Sequence, residues 1–161
     1  MQKKFINCQR GAAAVEFAIV LPLLLVFIFG IIEFGCLLYN KAVITNASRE
    51  GARYSILYET DLDTQLPIWK QKPDVETFVR DRIKNPDGTY RLINFGSSVP
   101  SVDVTDPAAG PTPESISRTV TVSYIHHFLV LPDFLSAFFN GGNFGPLTVN
   151  SQTTMRTEYQ I

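Results

Sequence analysis

Cysteine is scarce in this chain. Two in 161 residues are too few for a disulfide framework, and no Cys/His cluster has zinc-ligand spacing. Charge is scarce as well: 18% of residues are charged and they almost cancel, at a formal net charge of −1. The chain therefore lacks the basic surface that holds nucleic acid by counterion release. No Ser/His/Asp order, glycine-rich phosphate loop or paired-carboxylate motif stands out, so the reading is of no enzyme, no cofactor and no small-molecule substrate. His126 and His127 are adjacent, and on a strand they would point to opposite faces, unable to chelate one ion without further ligands. No metal site is expected. What the chain has is apolar residues, 45% of the total, unevenly spread. Residues 15–39 are almost wholly apolar, whereas everything beyond Tyr58 reads as ordinary soluble protein. The length suits one modest domain, or a small domain with an appendage, and the pattern suggests a membrane-tethered small domain.

The first eleven residues are polar and basic, with Lys3, Lys4 and Arg10 and no acid, and they end in Gly11. Residues 17–32 then run for sixteen positions without a charge. As a helix they cover about 24 Å, and a hydrocarbon core is about 30 Å thick, so flanking residues must complete a span. Glu16 and Glu33 bracket the run, and Glu33 is read as the span boundary. The basic leader puts the amino terminus in the cytoplasm and the remainder outside.

An ordinary secretory signal has a shorter apolar stretch and a small-residue cleavage site, and Glu33, Phe34, Gly35 and Cys36 are the wrong sequel. A lipoprotein signal could use Cys36, but it expects an aliphatic residue where Glu33 stands. A plain anchor fits the run yet leaves Glu16 unexplained. The combination is more specific: a basic leader ending in glycine, a small residue after it, and an acid at the fifth position beyond the glycine. This resembles the class III signal of type IV pilins, cut by a prepilin peptidase on the cytoplasmic face. The scissile bond is then Gly11–Ala12, where glycine lets an extended backbone enter the protease. Cleavage would expose an α-amine on Ala12, whose ordinary pKa near ~8 leaves it largely cationic at neutral pH. Glu16, one helical turn along on a neighbouring subunit, could neutralise it, with Phe17 beside it.

Residues 10–54 resemble the TadE-like family, the minor pilin-like proteins of tight-adherence (Flp-type) pilus systems. The resemblance rests on Arg10 to Phe17 with its Gly11 and Glu16, on Leu21 and Pro22 early in the span, and on Arg49, Glu50, Gly51, Ala52 and Arg53 after it. It implies processing by a prepilin peptidase, contact with other pilin-like subunits and the pilus assembly machinery, and residence in the bacterial cytoplasmic (inner) membrane. A permanently anchored, uncleaved extracytoplasmic binding domain is the alternative.

The expected fold class is α+β: a leader over 1–11, a long helix over 12–58, and a small extracytoplasmic head over 59–161 with a mainly antiparallel sheet. The helix spans the bilayer over about 15–39 and is amphipathic over about 40–58, with Val43, Ala47, Gly51 (or Glu50), Tyr54 and Leu57 as its apolar stripe. Arg49, Glu50 and Arg53 read as a solvated face. Pro22 is tolerable inside a spanning helix, and Gly30 and Gly35 are five apart, too far for the four-residue glycine contact motif. Asn46, Ala47 and Ser48 match a glycosylation acceptor but fall inside the helix and are set aside.

Residues 59–72 read as irregular. Residues 73–84 read as a short amphipathic helix with Pro73 in its first turn and Val75, Phe78, Val79 and Ile83 on one face. A turn over 85–88 follows, then short strands over 90–95 and 99–105 and an exposed proline-rich loop over 106–113. The clearest strand is 116–125, where Val120, Val122 and Tyr124 alternate with Thr119, Thr121 and Ser123. Its expected partner is 147–159. Between them, 129–139 is strongly apolar and reads either as a buried connection or as an exposed patch awaiting a partner, with Leu135, Phe138 and Phe139 prominent.

Overall fold

A computed structural model describes residues 9–63, 67–105, 108–109, 115–132, 136 and 145–158. The fold is α+β, a long N-terminal helix followed by antiparallel sheets. Two compact units divide the chain: Met1–Gly35 with Phe128–Phe144, and Cys36–His127 with Gly145–Ile161.

In the first unit the dominant element is the N-terminal portion of α1, Gln9–Ser55. It contains Pro22 and keeps the apolar residues outward: Val15, Phe17, Ile19, Leu23, Phe27 and Ile31 are each more than half exposed. A helix that is apolar all round is stable only where its surroundings are apolar too.

The second unit contains the rest of α1 and every strand. β1 (Tyr58–Thr60) and β2 (Pro67–Trp69) form a two-stranded antiparallel ribbon. The rings of Tyr58 and Trp69 sit 5.0 Å apart across it, and Lys70 bonds Glu59 at 2.5 Å. Residues 59–72 are thus not simply irregular. Three-residue strands are too short to show alternation, and a cross-strand aromatic pair and an ion pair hold this ribbon. α2 (Lys72–Ile83) follows, with Pro73 in its first turn, Asp74 at the positive end of its dipole, and Arg80 and Arg82 in its last turn. It ends at the expected turn, where Gly88 adopts φ +84 and Asp87 accepts bonds from the Thr89 amide and hydroxyl.

The main sheet is built around β5 (Ser115–His126). β6 (Leu147–Glu158) pairs with it antiparallel over its whole length, from Ser115↔Glu158 to His126↔Leu147. Its other edge carries β3 (Ser101–Val104) and β4 (Ala108–Ala109). The alternation read in β5 is observed: Val120, Val122 and Tyr124 are buried, and Thr119, Thr121 and Ser123 are not. The strand expected over 99–105 is the shorter β3, and part of the expected 106–113 loop, Ala108 and Ala109, adds a two-residue strand to the sheet. The remainder of that loop, Tyr159, Leu135, Phe138 and Phe139 lie outside the described residues.

No strand forms over 90–95. Beyond an isolated bridge between Lys84 and Tyr90, the backbone of Ile93 pairs with a side chain instead. Asn40 Nδ2 donates to the Ile93 carbonyl at 2.7 Å and Asn40 Oδ1 accepts from the Ile93 amide at 2.8 Å, so one carboxamide does what a neighbouring strand would do.

The core joins Val75, Val79 and Ile83 of α2 to Val102 and Val104 of β3, Val120, Val122 and Tyr124 of β5, Val149 of β6, and Ile44, Ala47 and Ala52 of α1. The helix stripe expected over 40–58 is displaced. Val43 and Tyr54 are half-buried and Leu57 is exposed, while Asn40, Ile44, Ala47, Ser48, Gly51, Ala52 and Ser55 form the buried face. Close approach explains the shift: a Cβ on Gly51 would overlap Val79 Cγ2 and lie 3.3 Å from Val120 Cγ1. Small and hydrogen-bonded side chains let the backbones meet where larger apolar ones would not.

Candidate functional site

Gly11, Ala12, Glu16 and Phe17, singled out by sequence, lie on the amino-terminal third of α1. Gly11 and Ala12 belong to its first turn, where backbone N–H groups have no intrahelical acceptors. Gly11 is exposed, and nothing lies within 4 Å of the position a Cβ would take there. Glu16 and Phe17 are also exposed, Phe17 to 60%, and among the described residues no ion pair engages Glu16. These residues share one exposed stretch of helix. The arrangement suits packing against another molecule.

Glu33 is different. It is 2% exposed on an otherwise outward-facing stretch, because residues 129–131 cover it. Its Oε1 accepts from the amides of Leu129 at 3.1 Å and Val130 at 2.5 Å, and its Oε2 accepts from the amide of Leu131 at 3.4 Å. Sequence reading marked Glu33 only as an edge. Its donors lie 96 to 98 positions later in the chain, and no periodicity connects them.

In the second unit, α1 presents polar groups to the sheet. Asn40 Nδ2, besides holding Ile93, lies 3.2 Å from His126 Nδ1. Because Asn40 Oδ1 is committed to the Ile93 amide, its nitrogen is the donor, and neutral His126 carries its proton on Nε2. Ser48 Oγ lies 3.0 Å from Ser151 Oγ and 2.9 Å from Thr153 Oγ1, and Arg118 Nη1 donates to the carbonyls of Ser55 and Lys70. His126 is buried against Asn40, whereas His127 Nε2 pairs with Ser98 Oγ at 2.8 Å. The two imidazoles thus turn to separate partners. Among the described residues no group of three or more His, Cys, Asp or Glu side chains could hold a metal ion.

On the surface, Glu50 pairs with Arg82 at 3.0 Å, both about half exposed. The Lys70–Glu59 bond shifts both groups. The hydrogen bond and charge of Lys70 hold the Glu59 carboxyl below its ordinary value, and the same bond raises the Lys70 ammonium. Burial raises the Tyr124 phenol.

Fold and site together define a class: a small α+β domain carried on an apolar helix long enough to cross a membrane, with no enclosed centre among the residues singled out. Residues 11–53 match the family model for TadE-like proteins. The match includes Gly11, Ala12, Glu16, Phe17, Glu33 and the Gly51 whose bare backbone α2 approaches. No curated protein and no solved structure matches the chain.

Proposed function

We propose that this chain is a pilin-like protein of a tight-adherence pilus system, acting in pilus assembly through packing of its helix rather than through catalysis. The observation that carries this reading is the exposed apolar helix of the first unit within a TadE-like stretch. Burying such surface is worth roughly 25 cal/mol per Å², and lipid or the helices of other subunits supply the burial.

A prepilin peptidase removes residues 1–11 at Gly11–Ala12. The position favours this: glycine costs a helix about 1 kcal/mol relative to alanine, and the bond lies in a first turn that unwinds readily. Lys3, Lys4 and Arg10 keep the amino terminus cytoplasmic until cleavage. The head then lies outside. After cleavage, the Ala12 ammonium of one subunit pairs with Glu16 of its neighbour, so that neither charge is left alone in a low-dielectric bundle.

Intact mass and N-terminal sequencing of the chain extracted from its native membrane test the first step. A chain beginning at Ala12 is expected. An intact leader overturns the reading in favour of an uncleaved, membrane-anchored binding domain. Glu16→Gln should be cleaved normally yet reduce surface pili several-fold, and unchanged piliation would remove the pairing of Glu16 with Ala12.

A further inference from the structure

Glu33 poses a physical problem that the pilin-like reading leaves unsolved. It lies among Ile31, Ile32 and Phe34, which are 73%, 51% and 56% exposed, so a bilayer that covers them reaches Glu33 as well. A carboxylate within hydrocarbon costs several kcal/mol unless its oxygens are satisfied. Residues 128–132 pose the complementary problem. Phe128, Leu129, Val130, Leu131 and Pro132 have no polar side chain, and Leu129 is 57% exposed. Leu131 and Pro132 are helical, and the amides at and just before such a start, which have no partner within the helix, must likewise be satisfied from within the protein in lipid.

Each problem answers the other. The three consecutive amides of Leu129, Val130 and Leu131 all donate to the two oxygens of Glu33, and Pro132 has no amide proton to satisfy. One turn earlier on the same helix face, Gly30 has no side chain, and Leu131 Cδ2 lies 4.0 Å from where its Cβ would be. The segment therefore rests on bare helix backbone, with its outward surface apolar and continuous with that of the span.

We propose that residues 128–132 form a re-entrant element that dips into the head-side leaflet beside α1, that its exposed apolar surface contacts lipid acyl chains, and that Glu33 is the clamp holding it there. The proposal rests on the reading of α1 as a membrane span. It moves the lipid boundary past Glu33, toward Phe34 and beyond, and so lengthens a run that was short for a bilayer.

Tryptophan quenching by phosphatidylcholine brominated along its acyl chains, with the full chain reconstituted in vesicles, tests this. The native Trp69 serves as the head control and should keep its emission. In a Trp69→Phe background, Phe27→Trp reports the span and Leu129→Trp reports the segment. Both should lose most of their emission in brominated lipid. Quenching at Phe27→Trp without quenching at Leu129→Trp overturns the re-entrant element alone and leaves the surface to a protein partner. No quenching at either position overturns the span reading itself. Adding Glu33→Ala to the Leu129→Trp chain should restore its emission while the span reporter stays quenched, and Glu33→Gln, which keeps one acceptor oxygen, should fall between. Unchanged quenching in the Glu33→Ala chain overturns the clamp.

Discussion

The two halves of one helix obey opposite rules. Up to Gly35, α1 turns its large apolar side chains outward, and among the described residues the one it buries deeply is a glutamate. From Cys36 onward it buries Asn40, Ser48, Gly51 and Ser55 beside Ile44, Ala47 and Ala52, and leaves Leu38 and Tyr39 exposed. Hydrophobicity alone would have assigned the inside and outside of the first half wrongly, and those of the second only in part correctly. What decides is whether a partner within the chain is available at close range. The second half has one, a sheet and a short helix near enough to need small side chains and matched hydrogen bonds. The first half looks beyond the chain, and the polarity of its surface specifies what kind of surroundings it needs.

The strongest way to break this contrast is to place the same bulk on each half. Gly51→Val should destabilise the head by about 3 kcal/mol, because the new side chain enters space held by Val79 and Val120. Gly35→Val, with nothing within 4 Å, should leave head stability unchanged. Urea unfolding of the full chain in detergent, followed by Trp69 emission, reads both. A loss of head stability at Gly35 equal to that at Gly51 would erase the distinction.

A second substitution sharpens it. Asn40→Ala removes a donor and an acceptor from the Ile93 backbone and the partner of His126 Nδ1, and should cost about 2 kcal/mol in the same measurement. The chemical shift of the Ile93 amide should move with it.

The smallest effect belongs to the surface of the ribbon. The Glu59 carboxyl should titrate below the ordinary glutamate value by NMR, and Lys70→Met should return it. Since its folded-state value is depressed, Glu59 contributes stability above its unfolded pKa and loses it as pH falls through the folded value. Lys70, raised by the same bond, contributes below its unfolded pKa and loses that contribution as pH rises through the folded value. The pair therefore works across the neutral range, and its high exposure keeps the effect slight.

Sequence periodicity revealed what short-range rules control. The alternation around Val120, the proline and acid opening α2, and the asparagine–proline–aspartate–glycine turn all follow from neighbours a few positions apart. Asn40 and Glu33 were opaque for the opposite reason. Asn40 finds Ile93 53 positions away and His126 86 away, and Glu33 finds its amides nearly a hundred residues on. A polar residue on an apolar stripe reads as a defect until its distant partner is known. The strand expected over 90–95 failed through the same blindness: its pairing partner was a side chain on a helix.

The full-length match of β5 with β6 has one more consequence. His126 and Leu147 stand opposite each other in register, so the chain departs from the sheet and returns to it at a single rung. Everything between them is an excursion grafted onto a hairpin, and the rungs below are set without reference to its length. Lengthening such a graft adds little closure entropy, growing only with the logarithm of its size. The scaffold can therefore carry a differently built graft at that point while every strand keeps its place.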